Sequence, residues 1–212
     1  MSDVGRGILT VVSGFAGSGK GTVMKKLIEG HDNYALSVSA TSRKPRPGEE
    51  EGISYFFKTR EEFEEMIRQD ALLEYAEYVG NYYGTPKDFV FSKMDEGKDV
   101  ILEIELQGAM QIKKKYPDTL LIFLTPPSAD ELYKRLKGRG TETDEVIAKR
   151  MKRASEEALC IKDYDYLIIN DNIDDCTRRV HEAIQTAHHT VRHEAELLER
   201  IKTELKETGG NK

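Results

Sequence analysis

Short apolar runs recur along the chain at residues 8–12, 35–38, 100–104, 120–124 and 166–169. They are rich in Val, Ile and Leu with little polar alternation, the pattern of strands buried on both faces. Between most of them apolar positions return every three or four residues, as on the buried stripe of a helix. The pattern predicts an α/β fold whose mainly parallel sheet is flanked by helices. Two stretches interrupt it. Residues 39–90 are rich in Tyr, Gly, Pro and charge, with a short strand candidate at Tyr55-Phe56-Phe57, and read as an inserted, partly antiparallel subdomain. Within 134–153, Gly138-Arg139-Gly140 breaks a helix, and Thr141 with Asp144 three places on suits a capping box that restarts it. Glycines flanking an arginine between two helices suit a hinged lid.

From Asp174 onward the pattern is that of one long helix, with apolar positions at Ile184, Ala187, Val191, Leu198, Ile201 and Leu205, broken by Glu194. Heptads are too few for a sustained coiled coil, so the stripe is expected to pack back on the body. His188, His189 and His193 in this stretch read as a solvated helix face rather than a metal site.

At 212 residues the chain suffices for one α/β domain with insertions. A formal net charge of -6 argues against a nucleic-acid partner held on a broad basic surface. Cations for any phosphate site must then be concentrated locally. Residues 1–7 show no apolar secretory core and no run is apolar enough to span a bilayer, so a cytoplasmic location with no membrane partner is expected. Cys160 and Cys176 lack metal-like spacing and read as reduced thiols.

One segment adds chemistry to this outline: Gly14-Phe15-Ala16-Gly17-Ser18-Gly19-Lys20-Gly21-Thr22. It joins the first apolar run to a helical pattern, the context in which a glycine-rich turn becomes a phosphate cradle of P-loop NTPase type. Backbone N–H groups and the helix N-terminus can face an anion there. Lys20 can reach the terminal phosphates of a nucleoside triphosphate. The position after the lysine, where Ser or Thr usually meets Mg²⁺, is Gly21; Thr22 stands one place late, nearer an inner phosphate.

The run from Ser37 to Glu49, Ser-Val-Ser-Ala-Thr-Ser-Arg-Lys-Pro-Arg-Pro-Gly-Glu, passes from hydroxyls to arginines held by prolines. Guanidinium forks suit a phosphate, although a solvated basic turn explains this segment equally well on its own. Then come Tyr55, Leu73-Glu74-Tyr75-Ala76-Glu77, Gly80-Asn81-Tyr82-Tyr83-Gly84-Thr85-Pro86 and Val100-Ile101-Leu102-Glu103-Ile104-Glu105-Leu106-Gln107-Gly108. In this order the motifs closely resemble those of guanylate kinases, which move the terminal phosphoryl of ATP onto GMP. The resemblance covers residues 7–187, with 39–90 as a GMP-binding subdomain, 134–153 as a helical lid and 188–212 as a C-terminal helical tail. The TSRKPRPGE and GNYYGTP segments carry most of its specificity.

The resemblance implies roles residue by residue. Gly14, Phe15, Ala16, Gly17, Ser18, Gly19, Lys20, Gly21 and Thr22 would hold ATP, with Asn170 near the adenine. Ser39, Arg43, Arg46, Tyr55 and Tyr83 would hold the GMP phosphate and its surroundings, and Glu74, Thr85 and Glu105 would read guanine. Lys20, Arg43, Arg135, Arg139 and Arg150 would neutralise charge on the transferring group, Arg153 being a weaker match to the lid arginines. Glutamates stand at 103 and 105 where the family usually shows aspartates. Mg²⁺ would arrive with ATP, held mainly by phosphates and waters, with no direct protein ligand and Glu103 one water away. The implied substrates are ATP and GMP, with dGMP a further candidate, and the implied assembly is a monomer or homodimer. Two alternatives accompany this reading: a catalytically inactive guanylate-kinase-like interaction module, and a kinase of another phosphorylated substrate on the same scaffold. The intact loop with Lys20, Arg139 and Arg150 argues against the first; Glu74 with Thr85 argues against the second.

Overall fold

The structure, a computed structural model, describes residues 5–138, 140 and 143–209. The chain opens with β1 (Leu9–Gly14), α1 (Lys20–Gly30) and β2 (Tyr34–Leu36). Next come β3 (Ala40–Thr41), β4 (Phe56–Phe57), α2 (Arg60–Arg68), β5 (Leu72–Tyr78), β6 (Asn81–Pro86) and α3 (Lys87–Asp95). It continues through β7 (Asp99–Glu103), α4 (Leu106–Lys115), β8 (Leu120–Thr125), α5 (Ala129–Gly138) and α6 (Asp144–Ala158). The last elements are β9 (Tyr166–Ile169), α7 (Ile173–Ala187) and α8 (Ala195–Gly209).

Strands β2, β7, β1, β8 and β9 lie side by side in that order, each neighbouring pair parallel. Their apolar runs are continuous because both faces are covered. Successive residues go to opposite sides. Val12, Ile101 and Ile122 pack with Val23 and Leu27 of α1 and with Val180 and Ile184 of α7. Val11, Val100, Leu102 and Leu121 pack instead with Val90 and Met94 of α3 and with Ala109 and Ile112 of α4. Burying each such side chain contributes about 1.5–3 kcal/mol. At the carboxyl edge of this sheet stand the loop after β1, Glu103 at the end of β7 and Asn170 just past β9, bordering the crevice where open α/β sheets bind ligands.

A second sheet, ordered β4-β3-β6-β5, pairs β6 antiparallel with β3 and β5 and pairs β3 parallel with β4. Helix α2 closes its far side, with Phe63 buried against Ala40 and Leu72. That helix opens with a reciprocal cap: Thr59 Oγ accepts the Glu62 N–H, and the Glu62 carboxylate accepts the Thr59 N–H.

Helices α5 and α6 enclose a third core of Leu132, Leu136, Ile147 and Ala154 with Phe15 and Phe123. The cap of α6 is Thr143, whose hydroxyl accepts the Val146 N–H. Helix α6 begins at Asp144, which makes Thr143 the N-cap and Val146 the third helical residue, the spacing a capping hydroxyl needs. Thr141 and Arg139 lie outside the described residues.

The long helix expected from Asp174 is two helices. Helix α7 stops at Ala187, where the Thr190 hydroxyl donates to the Ala187 carbonyl. His188 Nε2 meets Oδ1 of the buried Asp99 at 2.8 Å, and the Gln185 amide donates to Oδ2 of the same carboxylate. His188 is therefore drawn onto the sheet rather than displayed on a solvated helix face. Helix α8 does not pack back as expected: Leu198, Ile201 and Leu205 remain 38%, 41% and 66% exposed.

Candidate active site

The loop between β1 and α1 is shaped by what its glycines omit. A Cβ on Gly14 would lie 2.2 Å from the carbonyl oxygen of Leu124 on β8. Gly17 and Gly19 hold left-handed backbone, at φ 91 and 88, which curls the chain before α1. A side chain on Gly17 would also strike Leu136 of α5 at 3.0 Å, so the loop and α5 are in direct contact. Phe15 turns its ring into the core, edge-on to Phe123 at 5.0 Å, and leaves only its backbone at the loop. Lys20 Nζ donates to the carbonyls of Gly14 at 2.6 Å and Phe15 at 3.3 Å, which folds it across the loop.

Ala16, Gly17, Gly19, Lys20, Gly21, Thr22, Glu103 and Arg150 line a pocket of about 320 Å³ above the start of α1. Two cations and a helix N-terminus make it a site for anions. Among the described residues Glu103 is its single carboxylate, and the desolvating walls raise its pKa while the charge of Lys20 pulls the other way. Ser18 is buried beneath. Asn170 stands behind the loop: its amide donates to the Ser18 carbonyl at 2.8 Å, in space that a side chain on Gly19 would fill. The Asn170 carbonyl accepts Nη2 of Arg135 at 2.9 Å, and Arg135 also pairs with Glu131 at 2.8 Å. Asn170, which the resemblance puts near the adenine, thus braces the loop and ties it to Arg135 of α5.

The second sheet carries the other half. Tyr83 and Thr85 are two apart on β6 and share a face. Tyr55 lies edge-on to Tyr83 with centroids 6.1 Å apart, and the Arg43 guanidinium sits over Tyr55 at 5.4 Å. Glu49 fixes the proline-stiffened loop, accepting Arg43 Nη2 at 2.8 Å and the Arg46 N–H at 2.7 Å. Hydrogen bonds from Arg43 and the Arg46 backbone hold the Glu49 pKa down, and Glu49 in turn raises that of Arg43. The Arg46 side chain is exposed, and the half-buried Ser39 accepts the Phe56 N–H on its carbonyl at 2.8 Å.

At the opposite end of this face Thr85 Oγ donates to Glu74 Oε1 at 2.8 Å, with Thr85 0% and Glu74 7% exposed. Burial raises the Glu74 pKa, and the Thr85 hydrogen bond opposes the rise. Glu74 Oε2 abuts Gly108 of α4, where a Cβ would stand 3.0 Å away. One face therefore runs from a cationic, aromatic end to a carboxylate end, as the two ends of a phosphorylated nucleoside would require. The segment from Glu103 to Gly108 joins the halves, since Glu103 lines the loop pocket and Gly108 backs Glu74.

Not every predicted residue converges. Glu105, the N-cap of α4, is exposed and ion-paired with Arg153 of α6. Arg150 reaches the loop pocket. Glu49 and Gly108 stand in motifs quoted from the sequence but carry no role there. For Glu49 a signal exists in its place three residues after Arg46, which the turn hydrogen bond from the Glu49 N–H to the Arg46 carbonyl uses.

The family model for guanylate kinase matches residues 6–187. The chain belongs to the guanylate kinase family. A guanylate kinase of Lactococcus lactis is 54% identical over 186 residues, covering 88% of this chain and 91% of the relative. One from Streptococcus pneumoniae is 55% identical over 187 residues, covering 88% and 90%. A solved guanylate kinase from Anaplasma phagocytophilum matches with a TM-score of 0.68 at 33% identity, over 88% of each chain. In this member of the guanylate kinase family the TSRKPRPGE segment runs from the last residue of β3 through the loop that Glu49 closes, and GNYYGTP holds β6.

Proposed function

We propose that the chain transfers the γ-phosphoryl of ATP to GMP, yielding ADP and GDP. The pairing of Glu74 with Thr85 carries the choice of guanine. A buried carboxylate steadied by one hydroxyl can accept from the ring N–H and the exocyclic amine of guanine together. Adenine would set an acceptor nitrogen against it, and a mispaired buried polar group supports discrimination of about 10⁴-fold or more. Arg43, Arg46, Tyr55, Tyr83 and Ser39 are read as the holders of the GMP phosphate. The loop pocket takes the triphosphate, and Lys20, Arg150, Arg135 and Arg139 neutralise charge as the lid closes. A phosphate oxygen of GMP, already ionised at neutral pH, attacks in line, so no side-chain base is required and positioning supplies the rate.

In this reading residues 39–90 are the acceptor-binding part, 134–153 the lid and 188–212 a tail outside the chemistry. Mg²⁺ accompanies ATP, and the donor set suits a hard cation: a Glu103 carboxylate borders the pocket where phosphate oxygens would lie. When bound, Mg²⁺ spreads the negative charge of the phosphates. No helix of the described residues is long and apolar enough to cross a membrane. The use of ATP and two free cysteines support a cytoplasmic reading. Lys20 and Arg150 at an intact loop favour a working enzyme over an inactive interaction module.

The test is ADP release from ATP in a coupled assay with GMP, AMP, CMP or UMP as acceptor. Turnover with GMP should exceed the others by about 10³-fold or more. Activity chiefly with AMP would overturn the base assignment, and no activity with any acceptor would leave the interaction module standing.

A further inference from the structure

Position 21 is a glycine where the backbone asks for none. Gly21 is the second residue of α1 and is absent from the glycines with positive φ. A Cβ built there would meet one heavy atom within 4 Å beyond its chain neighbours and its own helix: Oε2 of Glu103, at 4.0 Å. Serine would fit, and its hydroxyl, one bond further out, could turn onto the Glu103 carboxylate. The missing hydroxyl after Lys20 and the glutamate at the end of β7 thus face each other across one pocket.

We propose that Glu103 supplies the metal-facing oxygen that a hydroxyl at position 21 supplies in other phosphate loops, so that Gly21 and Glu103 form an exchanged pair. The proposal rests on Mg²⁺ accompanying ATP. The backbone fixes where the carboxylate starts, because Glu103 is in register with Val12 on the strand that leads into the loop. The carboxylate is a hard oxygen donor, and its charge compensates for the loss of a neutral hydroxyl. Glycine at 21 keeps it available, since a serine hydroxyl would hydrogen-bond to the carboxylate and turn it from the ion. A rival role for Glu103 is a counter-charge for Lys20. That role predicts altered binding of nucleotide without metal, and no effect specific to the cation.

The experiment measures Mn²⁺ affinity of the full-length protein·ADP complex by electron paramagnetic resonance, and ADP affinity in EDTA by calorimetry. Glu103→Gln, Glu103→Asp, Gly21→Ser and the double variant Gly21→Ser/Glu103→Asp are compared with wild type. Wild type should hold Mn²⁺ more tightly than ADP alone does. Glu103→Gln should lower that affinity by about 10–100-fold, with ADP binding in EDTA changed by less than about threefold. Gly21→Ser alone should also weaken Mn²⁺, and the double variant should recover to within about threefold of wild type, a coupling that independent sites do not show. Wild type no tighter than free ADP overturns the metal reading and this proposal with it. Tight wild-type binding that Glu103→Gln leaves unchanged, or a double variant no better than Glu103→Asp, overturns this proposal alone. Glu103 is exposed and a Cβ on Gly21 meets no backbone outside its own helix, so melting temperatures should stay near wild type and confirm folded samples.

Discussion

Glu74 is buried with the Thr85 hydroxyl as its hydrogen-bond partner, and ionising it costs free energy that the Thr85 hydrogen bond and the charge of Lys115 offset only in part. Its folded pKa is raised by that burial, above the value in the unfolded chain. The native state is therefore relatively more stable at acid pH, and loses this contribution as pH rises through the raised pKa. Glu74→Gln keeps an acceptor for Thr85 and removes the charge, so its Tm at pH 8 should exceed wild type by about 2–4 °C. The gap should close towards pH 4, and a gap that widens in acid would contradict the assignment. GMP binding should run the other way, with KM rising in acid as the carboxyl takes a proton. Gly108 is the second residue at this end: its Cβ would lie 3.0 Å from Glu74 Oε2 and 3.2 Å from Ile104 Cδ1. Gly108→Ala should raise KM for GMP by about tenfold while leaving Tm unchanged or higher, because alanine favours a helix by about 0.5–1 kcal/mol. Steady-state kinetics beside a thermal melt checks both. Glu74 and Thr85 are readable from a short ordered motif. Gly108 is not, because its role lies in a contact between β5 and α4 that no local pattern encodes.

The strand cores of the elements follow from apolar runs alone, but their ends do not. β1 continues to Gly14 because Gly14 pairs with Leu124, a partner supplied by distant chain. The break between α7 and α8 is equally illegible, since the helical spacing of apolar residues carries on through it. What stops α7 is tertiary: Asp99, at the start of β7, gathers the Ile8 N–H and the side chains of Asn33, Gln185 and His188. The break between α5 and α6 is legible as a glycine-flanked interruption, while the packing of α5 on the loop after β1 is not. Leu136→Ala tests that packing. It removes a buried side chain at a cost of about 2–5 kcal/mol. Because Leu136 lies against Gly17, KM for ATP should rise more than KM for GMP. An equal rise in both would mean that α5 only stabilises the fold.

Taken whole, the molecule carries a formal charge of -6 and still concentrates Lys20, Arg150 and Arg43 where phosphates are expected. Local placement, not overall charge, makes the anion sites. The α8 helix contributes little to this arrangement, being exposed along its length. A chain ending at residue 194 should keep kcat near wild type and a Tm within about 2 °C, since exposed side chains contribute little stability. A large loss of activity in that variant would draw the tail into the mechanism. The family was legible in the sequence because its motifs stand in a fixed order along residues 6–187. The Asn170 brace was not legible as such, because it arises from packing across the sheet edge.

In the proposed function one buried carboxylate selects the acceptor base. The ratio of kcat/KM for GMP over AMP, measured in wild type and in Glu74→Gln, tests it most directly. Wild type should give about 10⁴ or more, and Glu74→Gln should lower the ratio by about 10²-fold or more through loss of GMP turnover. An unchanged ratio in a folded Glu74→Gln protein would rule out Glu74 as the group that selects the base.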